Sequence, residues 1–321
     1  MSMNRNTVIV LALVLIFAVI PAIIAMTIGV TLLLSRGACG HFGRGKVGLI
    51  HIEGLITADA GSAGLLSEAS AGSEQIIAAL EEFRKDDGVK SLVLRINSPG
   101  GSAAGSQEVY QEIQKVRRSG KKITVSMGDV AASGGYYIAS AADRIMADQA
   151  TMTGSIGVIM HTSDMHELFD KIGIKFDTIK TGPYKDMGST SRPMTPAEKQ
   201  LLQNLVDDVY QQFITDVSVG RGIPVAQVRR LADGRVFTGR QAAKYKLVDQ
   251  IGSMQDALNA AAKDAGIKGE YEVVEYDGNR GFWSVLLGES STGISGWLRE
   301  RGLLGRIAHD ALGCPTGLQA R

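Results

Sequence analysis

Ser133 stands in Val130-Ala131-Ala132-Ser133-Gly134-Gly135, a run of small residues that ends in two glycines. A serine hydroxyl is a poor nucleophile at its ordinary pKa and needs an adjacent base and a fixed, exposed position. Small flanking residues let a substrate backbone come close. Glycines leave amides unhindered at a helix start, where they can stabilise an oxyanion. A second segment, Asn97-Ser98-Pro99-Gly100-Gly101, follows a strand pattern and precedes a helical one. Pro99 fixes its turn, while Gly100 and Gly101 permit unusual dihedrals and close approach. The amide of Gly100 or Gly101 could complete an oxyanion hole with that of Gly134. Taken alone, each segment also looks like an ordinary small-residue turn between strand and helix, and on either one by itself that plainer reading prevails.

These turns need a scaffold. Apolar strand patterns occupy Lys46–Glu53, Ser91–Ile96 and Lys122–Ser126, with shorter candidates at 145–147, 156–159 and 176–179. Helical periodicity covers Glu74–Phe83, with Ile76, Ile77, Leu80 and Phe83 on one face, and Gly105–Arg118. A helix is also expected from Gly135. Strand and helix in alternation predict a parallel sheet with crossover helices. Ala58–Ser73, rich in Gly, Ala and Ser, reads as a mobile loop. Thr195-Pro196-Ala197-Glu198 is a capping box with proline at the first helical position. The stripe that follows, Leu201, Leu202, Leu205, Val209, Tyr210 and Phe213, is expected to be core or subunit contact. Further short helices are expected at Pro224–Leu231, Thr238–Tyr245 and Met254–Ala265.

The remainder bounds the class. Lys and Arg total 34 against 33 Asp and Glu in 321 residues, so no global field favours nucleic acid. Two cysteines, Cys39 and Cys314, do not make a disulfide framework. No histidine or cysteine pair has metal-ligand spacing, and no phosphate-binding glycine loop is present, so no metal or cofactor is expected. Residues 8–34 carry no charge, which exceeds the ~20 residues that span a bilayer and the ~7–15 of a signal-peptide apolar core. A retained transmembrane anchor is therefore expected at about 8–34 within segment 1–36, followed by a linker over 37–45. The flanking charges lean weakly towards a cytoplasmic main domain. The tail over 276–321 mixes aromatics, leucines and arginine, as in Gly281–Leu287 and Trp297-Leu298-Arg299, which suits a membrane interface, a neighbouring subunit or ordinary packing on its own domain.

In order, the chain shows Arg95-Ile96-Asn97-Ser98-Pro99-Gly100-Gly101, Ala131-Ala132-Ser133-Gly134-Gly135-Tyr136-Tyr137, Gly154-Ser155-Ile156-Gly157-Val158, and Lys185-Asp186 ahead of Arg192-Pro193-Met194-Thr195. This series resembles the signal peptide peptidase A family, bacterial membrane-bound serine peptidases, in its short single-repeat form. The resemblance covers roughly 46–275. It implies the α/β fold shared with the Clp protease subunit and the crotonases. It also implies a homo-oligomer, an octamer by expectation, in the bacterial inner membrane, with its catalytic domain outside the cytoplasm. The implied task is degradation of signal peptides after their release from preproteins. Carried over by position, Ser133 is the nucleophile, Lys185 the general base, Ser155 the hydroxyl that orients the lysine, and Gly100 or Gly101 with Gly134 the oxyanion donors.

A lysine serves as base only when burial brings its pKa down from about 10.4, so Asp186 is expected to point away from its neighbour. Lys180 is the competing lysine, read as a solvated strand end. His161 is the competing base of a Clp-type triad, but Thr162-Ser163-Asp164 beside it lacks the expected context. Three competitors stand beside this reading. One is a stomatin-operon-type protease acting on a specific membrane protein. Another is a non-catalytic oligomeric scaffold. The third, a crotonase-type acyl-CoA enzyme, explains neither Lys185 nor the apolar run.

Overall fold

The computed structural model describes residues 45–58 and 70–278. The expected anchor, nearly all of the linker, Cys39, Cys314 and the tail from residue 279 lie outside the described residues. Among the described residues, no helix is long and apolar enough to cross a membrane.

The chain runs through β1 (Gly45–Glu53), β2 (Leu55–Thr57), β3 (Ser70–Gly72), α1 (Ser73–Lys85), β4 (Ser91–Ser98), α2 (Ala103–Arg118), β5 (Lys122–Ala132), α3 (Gly134–Ser140), β6 (Arg144–Ala147) and β7 (Met152–Gly154). It continues with α4 (His166–Lys171), α5 (Pro196–Arg221), α6 (Val225–Leu231), β8 (Val236–Thr238), α7 (Gly239–Lys244), β9 (Gln250–Ile251), α8 (Met254–Asp264) and β10 (Tyr271–Glu275). The main sheet has the order β10-β1-β4-β5-β6-β9, with β7 paired to the end of β5 and β8 to β7. Every pairing is parallel except β7 with β8.

Both faces of this sheet are covered, as a parallel sheet requires. Val47 and Leu49 of β1 and Val93 of β4 pack with Ala257, Leu258 and Ala261 of α8. The alternate residues Ile50, Ile52, Leu92, Leu94 and Ile96 join Leu80 and Phe83 of α1, Ile113 of α2 and Ile214 of α5 in the larger core. The two-residue period thus feeds two cores from the same strands. Tyr276 closes the described chain against Phe83, edge to face at 5.7 Å, and its hydroxyl donates to Asp86 at 2.8 Å.

β4 and β5 stay in step as far as Ile96 opposite Met127, then slip, so that Ser98 lies opposite Ala131. Asn97 fills the bulge, its Oδ1 accepting from the Val130 amide at 3.2 Å.

Three sequence expectations need correction. Segments 156–159 and 176–179 are not strands. Their β-branched residues favour a half-buried pleated surface, but no described strand pairs with them, and Ile159 and Ile179 are 80% and 97% exposed. Lys180 therefore ends no strand. The loop expected over 58–73 contributes β3 and the first residue of α1. The stripe of α5, expected as core or subunit contact, needs no such correction: Phe213 is buried in the core, and Leu201 and Leu205 are exposed.

Leu94 is fully buried in the central strand, so Leu94→Ala should cost about 2–5 kcal/mol. Urea unfolding should show a lower midpoint at unchanged slope. An unmoved midpoint would contradict the described core.

Candidate active site

The turns singled out in the sequence leave adjacent parallel strands at their carboxyl ends. β4 delivers Pro99-Gly100-Gly101 into α2, and β5 delivers Ser133 into α3. Open parallel sheets characteristically place their ligands beyond these strand ends. The first turn is held by β2: the Ile56 amide donates to the Gly100 carbonyl and the Ser102 amide to the Ile56 carbonyl, both at 2.8 Å. Ser102 then caps α2 by accepting from the Gly105 amide at 3.1 Å.

The two turns touch backbone to backbone. A Cβ on Gly100, where φ is +106°, would lie 2.7 Å from the Gly134 nitrogen and 2.8 Å from the Ser133 Cβ. One on Gly101 would lie 2.1 Å from the Ile56 carbonyl oxygen. Neither position admits a side chain. The Gly100 amide donates to Ser98 Oγ at 3.1 Å. The Gly101 amide, like that of Gly134 in the first turn of α3, carries no described hydrogen bond, and both glycines line a hollow with Ser133.

Ser133 itself has φ 50° and ψ −120°, a backbone state that costs a non-glycine residue about 1–3 kcal/mol and recurs at functional sites. Its amide donates to the Gly154 carbonyl at 2.9 Å. Ala132 lies opposite Gly154 in the β5–β7 ladder, so Ser133 and Ser155 leave paired strands together. Ser155 also has φ 50°, and its amide is held by the Arg235 carbonyl at 2.8 Å.

Two hollows meet at Ser133. One, of about 180 Å³, is lined by Gly101, Ala103, Gly134, Tyr137, Val209 and Phe213. Its floor is the stacked pair Tyr137 and Phe213, 4.5 Å between ring centres, and the Tyr137 hydroxyl donates to the Asp216 carboxylate. Burial and that carboxylate push the Tyr137 pKa far up, so the floor stays neutral. The other hollow, about 390 Å³, is mixed, with Ser155, Gln203, Asp207, Tyr210 and Asp233 beside Val206 and Ala232 on its wall. Val158 and Ile159 border both.

The structure therefore gathers Ser133, Ser155, Gly100, Gly101 and Gly134. Lys185 is apart from them: it is exposed on the connection between β7 and α5 and lines neither hollow. His161 is exposed on the same connection and lines neither hollow. Asp186 turns to Lys180 Nζ at 2.6 Å and to Arg192 Nη2 at 2.7 Å. Sequence reasoning did not single out Arg192, Tyr137 or Phe213 for the site. The capping box of Glu198 was a visible signal for the first, since Arg192 binds that carboxylate.

The sequence profile of peptidase family S49 matches residues 115–268. A protein named signal peptide peptidase SppA from Enterococcus faecium is 36% identical over 244 residues, 76% of this chain and 70% of that one. A protein named as a protease from Methanocaldococcus jannaschii is 32% identical over 276 residues, 85% of this chain and 88% of that one. Protease 4 of Haemophilus influenzae is 35% identical over 254 residues, 77% of this chain but 40% of its own length.

Replacing Ser133 by glycine removes the backbone strain along with the hydroxyl. Ser133→Gly should unfold above Ser133→Ala by about 1 kcal/mol, or ~2–4 °C, and thermal melts compare the two directly. A Ser133→Gly melt below that of Ser133→Ala, as glycine's freedom in the unfolded chain alone would give, would mean that the conformation at Ser133 is not strained.

Proposed function

This chain belongs to peptidase family S49, as a protease of the signal peptide peptidase A type, and from that premise we propose a membrane-anchored serine endopeptidase that runs on Ser133 and Lys185. The single observation that carries the reading is the strained Ser133 at the start of α3, with the Gly101 and Gly134 amides and a hollow lined by Tyr137 and Phe213 beside it. Ser133 Oγ attacks the peptide carbonyl, and Lys185, as a neutral amine, takes the hydroxyl proton. The oxyanion is held by the Gly101 and Gly134 amides. Gly100 serves as the spacer that lets the turns approach, since its own amide is committed to Ser98. Lys185 then gives its proton to the leaving amine and activates water for deacylation. Ser155, on the wall of the larger hollow, orients the lysine there. The Tyr137, Val209 and Phe213 side chains beside the nucleophile suit hydrophobic peptides, and signal peptides left in a membrane are such substrates.

Lys185 reaches a Ser133 on a neighbouring copy. Two features support this: its exposure away from the Ser133 hollows, and the exposed apolar side chains Ile159, Phe176 and Ile179 on the same connection. Large exposed apolar surface of this kind marks a protein contact. The uncharged run over 8–34 would hold the assembly at the inner membrane, with the peptidase domain outside the cytoplasm.

Cleavage of a fluorogenic signal-peptide mimic by the detergent-solubilised full chain tests this. Ser133→Ala and Lys185→Ala should each abolish turnover, His161→Ala should not, and dissociating and reassembling the two inactive variants together should restore part of it. Near-parent activity in Lys185→Ala removes the lysine as base. A dead mixture of two well-folded variants removes the neighbour's contribution. A parent that leaves the mimic intact but cuts a membrane protein points instead to the stomatin-operon type of protease.

A further inference from the structure

The connection that carries Lys185 is irregular, yet its root is tightly tied. Lys180 Nζ donates to the Pro183 carbonyl at 3.2 Å and to Asp186 Oδ1 at 2.6 Å. Arg192 grips the same carboxylate in the fork geometry that suits guanidinium to carboxylate, through Nε to Oδ2 at 2.8 Å and Nη2 to Oδ1 at 2.7 Å. Its Nη1 and Nη2 also reach Glu198, at 3.0 Å and 2.5 Å. Glu198 is buried, with 3% of its side chain exposed, and closes the capping box by accepting from the Thr195 amide at 2.8 Å. The residues on both sides of Lys185 are thus fastened to the first turn of α5. Among the described residues the Lys185 ammonium itself forms no ion pair.

We infer that Arg192 is a positioning residue for the reaction: together with Lys180 it holds the Asp186 carboxylate, keeping Lys185 free of its neighbour's charge and directed outward. This rests on the reading of Lys185 as the base. Two cations and two carboxylates make up the cluster, Lys180 and Arg192 with Asp186 and Glu198, and their charges cancel. Nearby, Asp164 and His166 pair with one another. Take Arg192 away and a net negative charge stands next to the catalytic ammonium, which favours its protonated, inert form.

The cluster persists across the working range of a protease. The Arg192 guanidinium and then the Lys180 ammonium hold the Asp186 carboxyl well below the usual carboxylate range, and Arg192 draws that of Glu198 down to about 2. Both carboxyls bind protons less readily folded than unfolded, so the ties are complete above the ordinary Glu value of 4.5 and are lost only as pH falls towards 2.

The pH profile of kcat/KM in the full, detergent-solubilised chain separates this role from a merely structural one. Arg192→Gln should raise the midpoint of the acidic limb by about one unit, a loss of about tenfold at fixed pH below it. Adding Asp186→Asn to Arg192→Gln should bring the midpoint back towards the parent. Lys180→Gln should move it the same way by less, and serves if Arg192→Gln does not fold. An unmoved midpoint with uniformly lower kcat, or a double variant that does not recover, overturns the inference while leaving the dyad intact. An active Lys185→Ala overturns the dyad itself, and the inference with it.

Discussion

Everything at this site depends on one approach of backbone to backbone. Gly100 comes so near Gly134 and Ser133 that a single added carbon would collide with both. That contact brings the amides of two separate strand-to-helix turns into one hollow. It is possible only because β4 and β5 are neighbours in a parallel sheet, so that their carboxyl ends lie at one edge. The β2 strand then clamps the first turn through Ile56, and the β5–β7 ladder clamps the second through Gly154. The cores on both faces of the sheet serve, from this point of view, to hold two loops at fixed separation.

Much of this architecture was legible in the residues, and the parts that were not share a cause. β4, β5 and α2 have long periodic runs, and α5 announces its start through Thr195 and Glu198. These signals are local. β7 and β8 are three residues each and carry no pattern of their own. They exist because Met152–Gly154 meets Val236–Thr238 and the end of β5, contacts made far along the chain. The opposite error at 156–159 and 176–179 has the same origin. Their residues favour strand, but the partner strand that would express it is absent among the described residues.

At the site, Ser133 and the glycines were visible as turns, but not which glycine keeps its amide free. That depends on the Ser98 hydroxyl, which accepts from the Gly100 amide two residues on, a rotamer choice no spacing rule reports. Nor was the separation of Lys185 from Ser133 visible. A linear motif shows that both residues exist, and only the path of the connection shows which of them one folded chain brings together. The ties at Asp186 were half visible, since its placement away from Lys185 was required on chemical grounds before the partners Lys180 and Arg192 were known.

The bulge at Asn97 has a consequence for how this edge of the sheet can vary. Position 96 lies opposite 127 and position 98 opposite 131, so β5 uses four residues where β4 uses two, a slip of two. Side chains along a strand alternate between faces with a period of two. An even slip therefore keeps Ala131 and the residues after it on the face they would have had without it, while drawing Ser133 back by two positions, level with the Pro99–Gly101 turn. The bulge thus sets how far Ser133 stands along the strand end. A change of one residue between 127 and 131 would reverse the parity of Ala131 and Ala132 against β4 and β7. Length in this short stretch is counted in pairs, and an alteration of a single residue there would harm the site more than many substitutions in the core.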